Sequence, residues 1–183
     1  MSTVDPSLRD DIIAAIPNLR AFAISLSGSV DRADDLVQET LLRAFANISS
    51  FRPGTNLPAW LFTILRNLFR SEYRKRRREV PDSDGAFAAT LTTNPDQTTH
   101  LDFEDFRIAL DKLPSDQREA LVLVGASGFS YEEAAEICEC AVGTIKSRVN
   151  RARKRLGELL AIEGDDDFGP DKTTRAVQAA ERA

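Results

Sequence analysis

Two clusters of cationic side chains carry most of the binding chemistry in this sequence. The first is KSRVNRARKR, Lys146 to Arg155, which holds six bases and no acid. At helical spacing, Ile145, Val149, Ala152, Leu156 and Leu159 line one face. Ser147, Asn150, Arg151 and Lys154 fall opposite, with Lys146 and Arg153 on the rim and Arg148 between them. Upstream, Ser130 stands three residues before Glu133, the spacing of a capping box, which predicts a helix from Tyr131 to about Cys138. A capped helix, a tight turn and a longer helix of about Val142 to Leu160, with an apolar back and a cationic front, make a helix-turn-helix pattern. The second helix of such a unit fits the DNA major groove, where Lys, Asn and Ser reach base edges and Arg suits guanine or phosphate. The plainer alternative is a helical hairpin with a solvated basic face, and the uninterrupted basic run weighs against it.

The second cluster is RNLFRSEYRKRRRE, Arg66 to Glu79. Arg66, Arg70, Arg74 and Arg78 advance by four and are expected to form one basic ridge. Leu61, Ile64, Leu65, Leu68 and Phe69 make the apolar side of the same helix. Phe69 and Tyr73 interleave with the bases, while Asn67 and Ser71 add uncharged hydrogen-bonding groups. Single-stranded bases stack on aromatic faces while their backbone follows cations, so this pattern suits an unpaired strand. A solvated helix end with Phe69 in the core fits the composition equally well. Trp60 reads as core. Asp35, Gln38, Glu39 and Leu42 gather on one side of a helix from about Asp31 to Phe45, an acidic and apolar surface suited to a protein partner or to an ordinary amphipathic helix.

Other chemistries find little support. The one histidine, His100, and the two cysteines, Cys138 and Cys140, do not complete a four-ligand metal site. No phosphate-cradling glycine loop is visible, and acids are too common to nominate a catalytic pair. The expectation is a protein that is not an enzyme and needs no metal or cofactor. Cys138 and Cys140 lie too close in sequence for a structural disulfide, which fits a reducing compartment.

The elements that must hold these residues are helical. Strand alternation is missing, and no Asn-Gly or Asp-Gly pair sits between alternating apolar runs as a hairpin turn would. Leu8, Ile12, Ile13 and Ile16, then Leu19, Phe22, Ala23 and Leu26, mark a first helix that Pro17 is expected to kink or break and Gly28 to end. FRPGTNLP, Phe51 to Pro58, reads as a loop, with Pro58 in the first turn of the next helix. PDSDGAFAATLTTNPDQTTHL, from Pro81, reads as a linker. Phe103, Phe106, Ala109, Leu110 and Leu113 open a second helical region, followed by a short buried helix from Glu119 to Ala126. The fold class expected is all-α: two small helical domains at 1–80 and 102–162, joined by a linker at 81–101, with an acidic tail at 163–183. The chain has 183 residues and a net charge of −5, yet its acids gather near both ends and its bases inside, so the local field can still attract a polyanion. No run of about 18 apolar residues offers a membrane span, and the N-terminus lacks a signal-peptide pattern, so a cytoplasmic protein is expected.

Two blocks of this sequence resemble one known family. VDRADDLVQETLLRAF followed by LPAWLFTILRNLFRSEYRKRRR is similar to the region-2 domain of extracytoplasmic-function sigma factors. LPSDQREALVLVGASGFSYEEAAEICECAVGTIKSRVNRARKRL is similar to their region-4 domain. The resemblance spans about residues 8 to 160 in the family's order. IPNLRAFAISLSG and FRPGTNLPAWLFTILRN are similar to the alphaproteobacterial general-stress subgroup. The resemblance implies a factor that binds core RNA polymerase and promoter DNA. It puts Asp35, Gln38, Glu39 and Leu42 against the polymerase. Asn67 would capture a flipped base of the −10 element, with Arg70, Ser71, Tyr73, Arg74 and Arg77 around it. Lys146, Ser147, Arg148, Asn150, Arg151 and Arg153 would meet the −35 element, although Lys146 and Asn150 stand where other members often carry Arg and an aromatic. It also implies a small helical anti-sigma protein as a partner. Two other readings remain open at this point: a sigma-like adaptor that titrates an anti-sigma protein without touching promoters, and a dimeric helix-turn-helix repressor.

Overall fold

A computed structural model describes residues 5–79 and 99–160, with side chains described for 5–75 and 105–160. The acidic tail and the proposed linker up to residue 98 lie outside the described residues, while residues 99–101, expected in that linker, form the start of a helix. Within them the chain is helical: α1 (Pro6–Ser27), α2 (Val30–Ala46), α3 (Leu57–Glu79), α4 (Thr99–Asp111), α5 (Ser115–Gly125), α6 (Tyr131–Cys138) and α7 (Val142–Leu160). One 3-10 turn, Ile48–Ser50, follows α2.

The first three helices pack on one another because each carries an apolar stripe. Ile12, Ala15, Leu19, Phe22, Ala23 and Leu26 of α1 are buried, and so are Ala33, Leu36, Val37 and Ala44 of α2. Leu57, Leu61, Phe62, Leu65 and Leu68 of α3 complete that core. Each large side chain fully withdrawn from water adds roughly 1.5–3 kcal/mol of driving force before entropy is counted. Thr40 is buried with them, and its hydroxyl donates to the Leu36 carbonyl at 2.6 Å, so that hydroxyl is not stranded.

The helix ends follow sequence chemistry. The Asp5 carboxylate accepts from the Ser7 amide and hydroxyl and caps α1. Ser29 caps α2, and Asn56 caps α3 by accepting from the Ala59 amide. Gly28 closes α1 in the left-handed region at φ 67°, which a Cβ would disfavour. Pro17 departs from expectation: α1 runs through it without ending. Pro17 removes one backbone bond, but buried residues lie on both sides of it and hold the two halves in line. Ile13, one turn before Pro17, is 51% exposed and lies off the buried stripe.

In the second half, α5, α6 and α7 enclose Ala120, Leu123, Ala134, Ile137, Ile145 and Val149. Helix α4 and the turn after it lie along α7 through Ala109, Leu113, Ala152 and Leu156. Helix α5 begins at Ser115, four residues ahead of the expected start, because Pro114 can end one helix and precede the next.

The two halves also pack on each other. One continuous apolar core runs through both, α3 lies against α6, and α1 lies against α5. Phe62 is the centre of this contact, stacked on Phe22 at 5.0 Å and meeting Phe129 edge-on at 4.9 Å.

Candidate nucleic-acid interface

The helix-turn-helix is built from its caps outward. The Ser130 hydroxyl accepts from the Glu133 amide at 3.1 Å, and the Glu133 carboxylate accepts from the Ser130 amide at 2.8 Å. This is the capping box that the sequence predicts. These bonds, led by the one from the Ser130 amide and joined by one from Asn56, hold Glu133 below its usual carboxylate value. Helix α6 ends at Glu139, which takes the left-handed conformation at φ 52° and turns the chain into α7. A non-glycine residue there costs roughly 1–2 kcal/mol, which the packing of α6 on α7 must offset.

On α7 the buried stripe is Ile145, Val149, Ala152 and Leu156. Lys146, Asn150, Arg151 and Lys154 are exposed on the outer side. The Lys146 ammonium lies 5.8 Å from the centre of the Tyr131 ring, a cation–π contact that limits where the lysine can point. Ser147 is half-buried and its hydroxyl donates back to the Thr144 carbonyl at 2.9 Å. Arg148 is also half-buried: it pairs with Asp116 of α5 at 3.2 Å and touches the Cys140 sulfur at 3.8 Å. It therefore braces α7 against its neighbours in this arrangement. Arg153 is half-buried as well.

Helix α3 presents the second cluster. Asn67, Arg70, Ser71, Tyr73 and Arg74 are all exposed. Tyr73 is 54% exposed and stacks on Phe69 at 6.3 Å, leaving an aromatic face beside cations. Arg74 donates to the Arg70 carbonyl at 3.3 Å and to the Ser71 hydroxyl at 3.5 Å. Arg77 and Arg78 lie outside the residues whose side chains are described.

Arg66 is not on that ridge. It is 1% exposed, and its guanidinium donates to the Glu119 carboxylate of α5 at 2.6 Å. A spacing of four advances a helix by about 400°, so each step drifts by roughly 40°. Arg66 shares its face with Phe62 and points into the second half, whereas Arg70 and Arg74 have rotated into solvent. Sequence reasoning also missed Glu119, Phe129 and Asn56, which join the two halves. A carboxylate inside the apolar segment EALVLV was a usable sign of a buried partner for Glu119.

Helix α2 carries the acidic and apolar residues. Asp35, Gln38 and Leu42 are exposed, Leu42 to 60%, and Glu39 pairs with Arg43 at 2.8 Å. Asp35, Glu39 and Arg43 form one wall of a groove, with Leu68, Ser71, Glu72 and Lys75 of α3 opposite. Asp34, next to it, pairs with Arg20 at 2.6 Å, and that hydrogen bond lowers its affinity for a proton. Cys138 is buried and its thiol is pushed up to about 12, chiefly by desolvation and then by the Glu119 carboxylate, so it stays protonated. Among the described residues, no helix is long and apolar enough to cross a membrane.

Comparison with known proteins covers both helical regions. The model of sigma-70 region 2 matches residues 12–79, and that of sigma-70 region 4 matches residues 103–156. The ECF RNA polymerase sigma factor EcfG of Rhodopseudomonas palustris is 77% identical over 171 residues, covering 93% of this chain and 94% of that protein. The ECF sigma factor SigE of Mycolicibacterium smegmatis is 38% identical over 144 residues, covering 76% of this chain and 56% of SigE. Among solved structures, the sigma factor RpoE in complex with the anti-sigma factor NepR from Bartonella quintana superposes with a TM-score of 0.78. It is 57% identical and covers 87% of this chain and 100% of that one. CnrH, in complex with the cytosolic domain of CnrY, gives a TM-score of 0.66 at 27% identity, covering 89% and 93%.

Proposed function

The chain belongs to the extracytoplasmic-function sigma factors of the sigma-70 family, and from that premise we propose how its surfaces divide the work. It is a transcription initiation factor that directs core RNA polymerase to promoters with −35 and −10 elements, under the control of an anti-sigma factor, and it is not an enzyme.

Lys146, Ser147, Asn150 and Arg151 read the −35 element from the outer face of α7. Arg153 supports them from the rim, and Arg148 fixes the helix through Asp116. Asn67, Arg70, Ser71, Tyr73, Arg74 and Arg77 on α3 take the −10 strand, with Tyr73 as a stacking face and the arginines following phosphate. Asp35, Gln38, Glu39 and Leu42 on α2 meet the polymerase, where the acidic and apolar groups complement a basic protein surface. Domains at 1–80 and 102–162, tethered through 81–101, let the two DNA contacts form together, so each can be weak alone. The relative bound to NepR supports a small helical anti-sigma partner of the same kind, and the resemblance of IPNLRAFAISLSG and FRPGTNLPAWLFTILRN to the general-stress subgroup supports a role in a stress programme. A chain that works on polymerase and promoter DNA acts in the cytoplasm.

The observation that carries this reading is the pair of exposed basic faces, Arg70 with Arg74 on α3 and Lys146 with Arg151 on α7, on two separately matched regions. Reconstitution with core RNA polymerase tests it. Addition of this protein is expected to give a transcript with a fixed start from a promoter of the stress type. The same mixture giving random or no initiation on every candidate promoter would refute it.

A further inference from the structure

The turn between α6 and α7 brings an aromatic ring to one cation of the face proposed to read the −35 element. Lys146 is exposed near the start of α7, and its ammonium lies 5.8 Å from the centre of the Tyr131 ring. Tyr131 is the first residue of α6 and directly follows Ser130, whose two reciprocal hydrogen bonds with Glu133 fix the chain there. Its ring is half-buried against the apolar core. The ring is therefore a held object, whereas the lysine is a free one apart from it. We propose that Tyr131 is a positioning residue for −35 recognition: its ring gathers the Lys146 ammonium to one place on the outer side of α7, so that the lysine meets a base edge rather than the nearest phosphate.

The need for such a residue follows from the chemistry of lysine. Arginine carries a planar fork that fixes its own geometry on an acceptor edge, but lysine is a compact charge on a flexible stem. An unguided lysine is satisfied by any phosphate, and a phosphate contact carries no sequence information. Ordering that stem on DNA also costs rotamer freedom, and a ring that already narrows the stem's range reduces the cost. Arg148, two residues on, shows the alternative. It is oriented by the Asp116 carboxylate at 3.2 Å, which offsets its charge and makes it a brace. An aromatic face orients a cation without neutralising it, so Lys146 keeps its full charge for DNA. The attraction is modest enough for the ammonium to leave the ring when an acceptor edge is offered. The role of Tyr131 rests on the −35 reading by Lys146 proposed above; the contact between ring and ammonium does not.

The test uses holoenzyme made with the full chain, and reads the ratio of its affinities for a promoter and for the same promoter with a scrambled −35 element. Tyr131→Leu keeps an apolar side chain against the core and removes the ring. It is expected to lower that ratio about two- to fivefold, the loss of one exposed cation–π contact. Tyr131→Phe keeps the ring and is expected to keep the parental ratio. In a Lys146→Ala background, Tyr131→Leu is expected to change the ratio no further. A parental ratio for Tyr131→Leu overturns the proposal, as does a loss that persists in the Lys146→Ala background or that Tyr131→Phe shares. In the free protein, the ε-methylene protons of Lys146 are expected to resonate upfield of those of the other lysines, shifted by the ring. Should Tyr131→Leu lose helical content, this parental resonance decides: an upfield position supports the proposal and an unshifted one overturns it. The two readings fail separately. If Lys146→Ala keeps the parental ratio while the shifted resonance is present, the −35 role of Lys146 fails. If Lys146→Ala lowers the ratio and Tyr131→Leu does not, the positioning role alone fails.

Discussion

Arg66 and Arg70 stand one helical turn apart and meet opposite environments, one sealed against Glu119 and the other open to solvent. Residue type alone could not separate them; only the direction of each side chain could. The same distinction governs the face of α7 proposed to read the −35 element. Lys146→Ala or Arg151→Ala should cost about 1–3 kcal/mol of discrimination between promoter and scrambled −35 DNA, measured by holoenzyme binding. Equal loss on both sequences would assign the side chain to phosphate instead. Glu133 makes a pH-dependent prediction. Its folded value lies below the ordinary 4.5, so its stabilisation is full above that pH and is lost as pH falls through the lower folded value. The melting temperature of Glu133→Gln should therefore lie below that of the parental protein at neutral pH, and the gap should close below about pH 4.5. A gap that persists in acid would mean the bonds, not the charge, carry the effect.

At the scale of elements, most of the helices were legible because their signals are local. Ser130 with Glu133 fixed the start of α6, and the stripe from Ile145 to Leu156 marked α7. Gly28 ended α1 as its backbone freedom suggests. Pro17 misled, since a lost hydrogen bond is a local penalty while the packing that overrides it is tertiary. Pro17→Ala should accordingly stabilise the protein by about 1–3 kcal/mol in denaturant unfolding, as the helix already continues across that position. No gain would show that the lost bond is compensated. Ser130→Ala should destabilise by about 1 kcal/mol through loss of the cap, and amide exchange at the start of α6 should speed up. Unchanged exchange there would contradict the role of the capping box.

For the whole molecule, the all-α class and the two-region organisation were readable from composition, periodicity and resemblance. The packing of one region on the other was not. It depends on Phe62 meeting Phe129 and on Asn56, Arg66 and Asn67 meeting three glutamates more than fifty residues away, and no periodic signal encodes such pairs. Net charge misleads at this scale too, because −5 hides two basic faces behind peripheral acids. Run-off transcription by reconstituted holoenzyme, on templates with the −10 or the −35 element scrambled separately, tests the division of labour most directly. Asn67→Ala is expected to abolish most sensitivity to the −10 scramble while keeping sensitivity to −35, and Arg151→Ala is expected to do the reverse. Variants that both respond to the two scrambles just as the parental protein does would contradict the account.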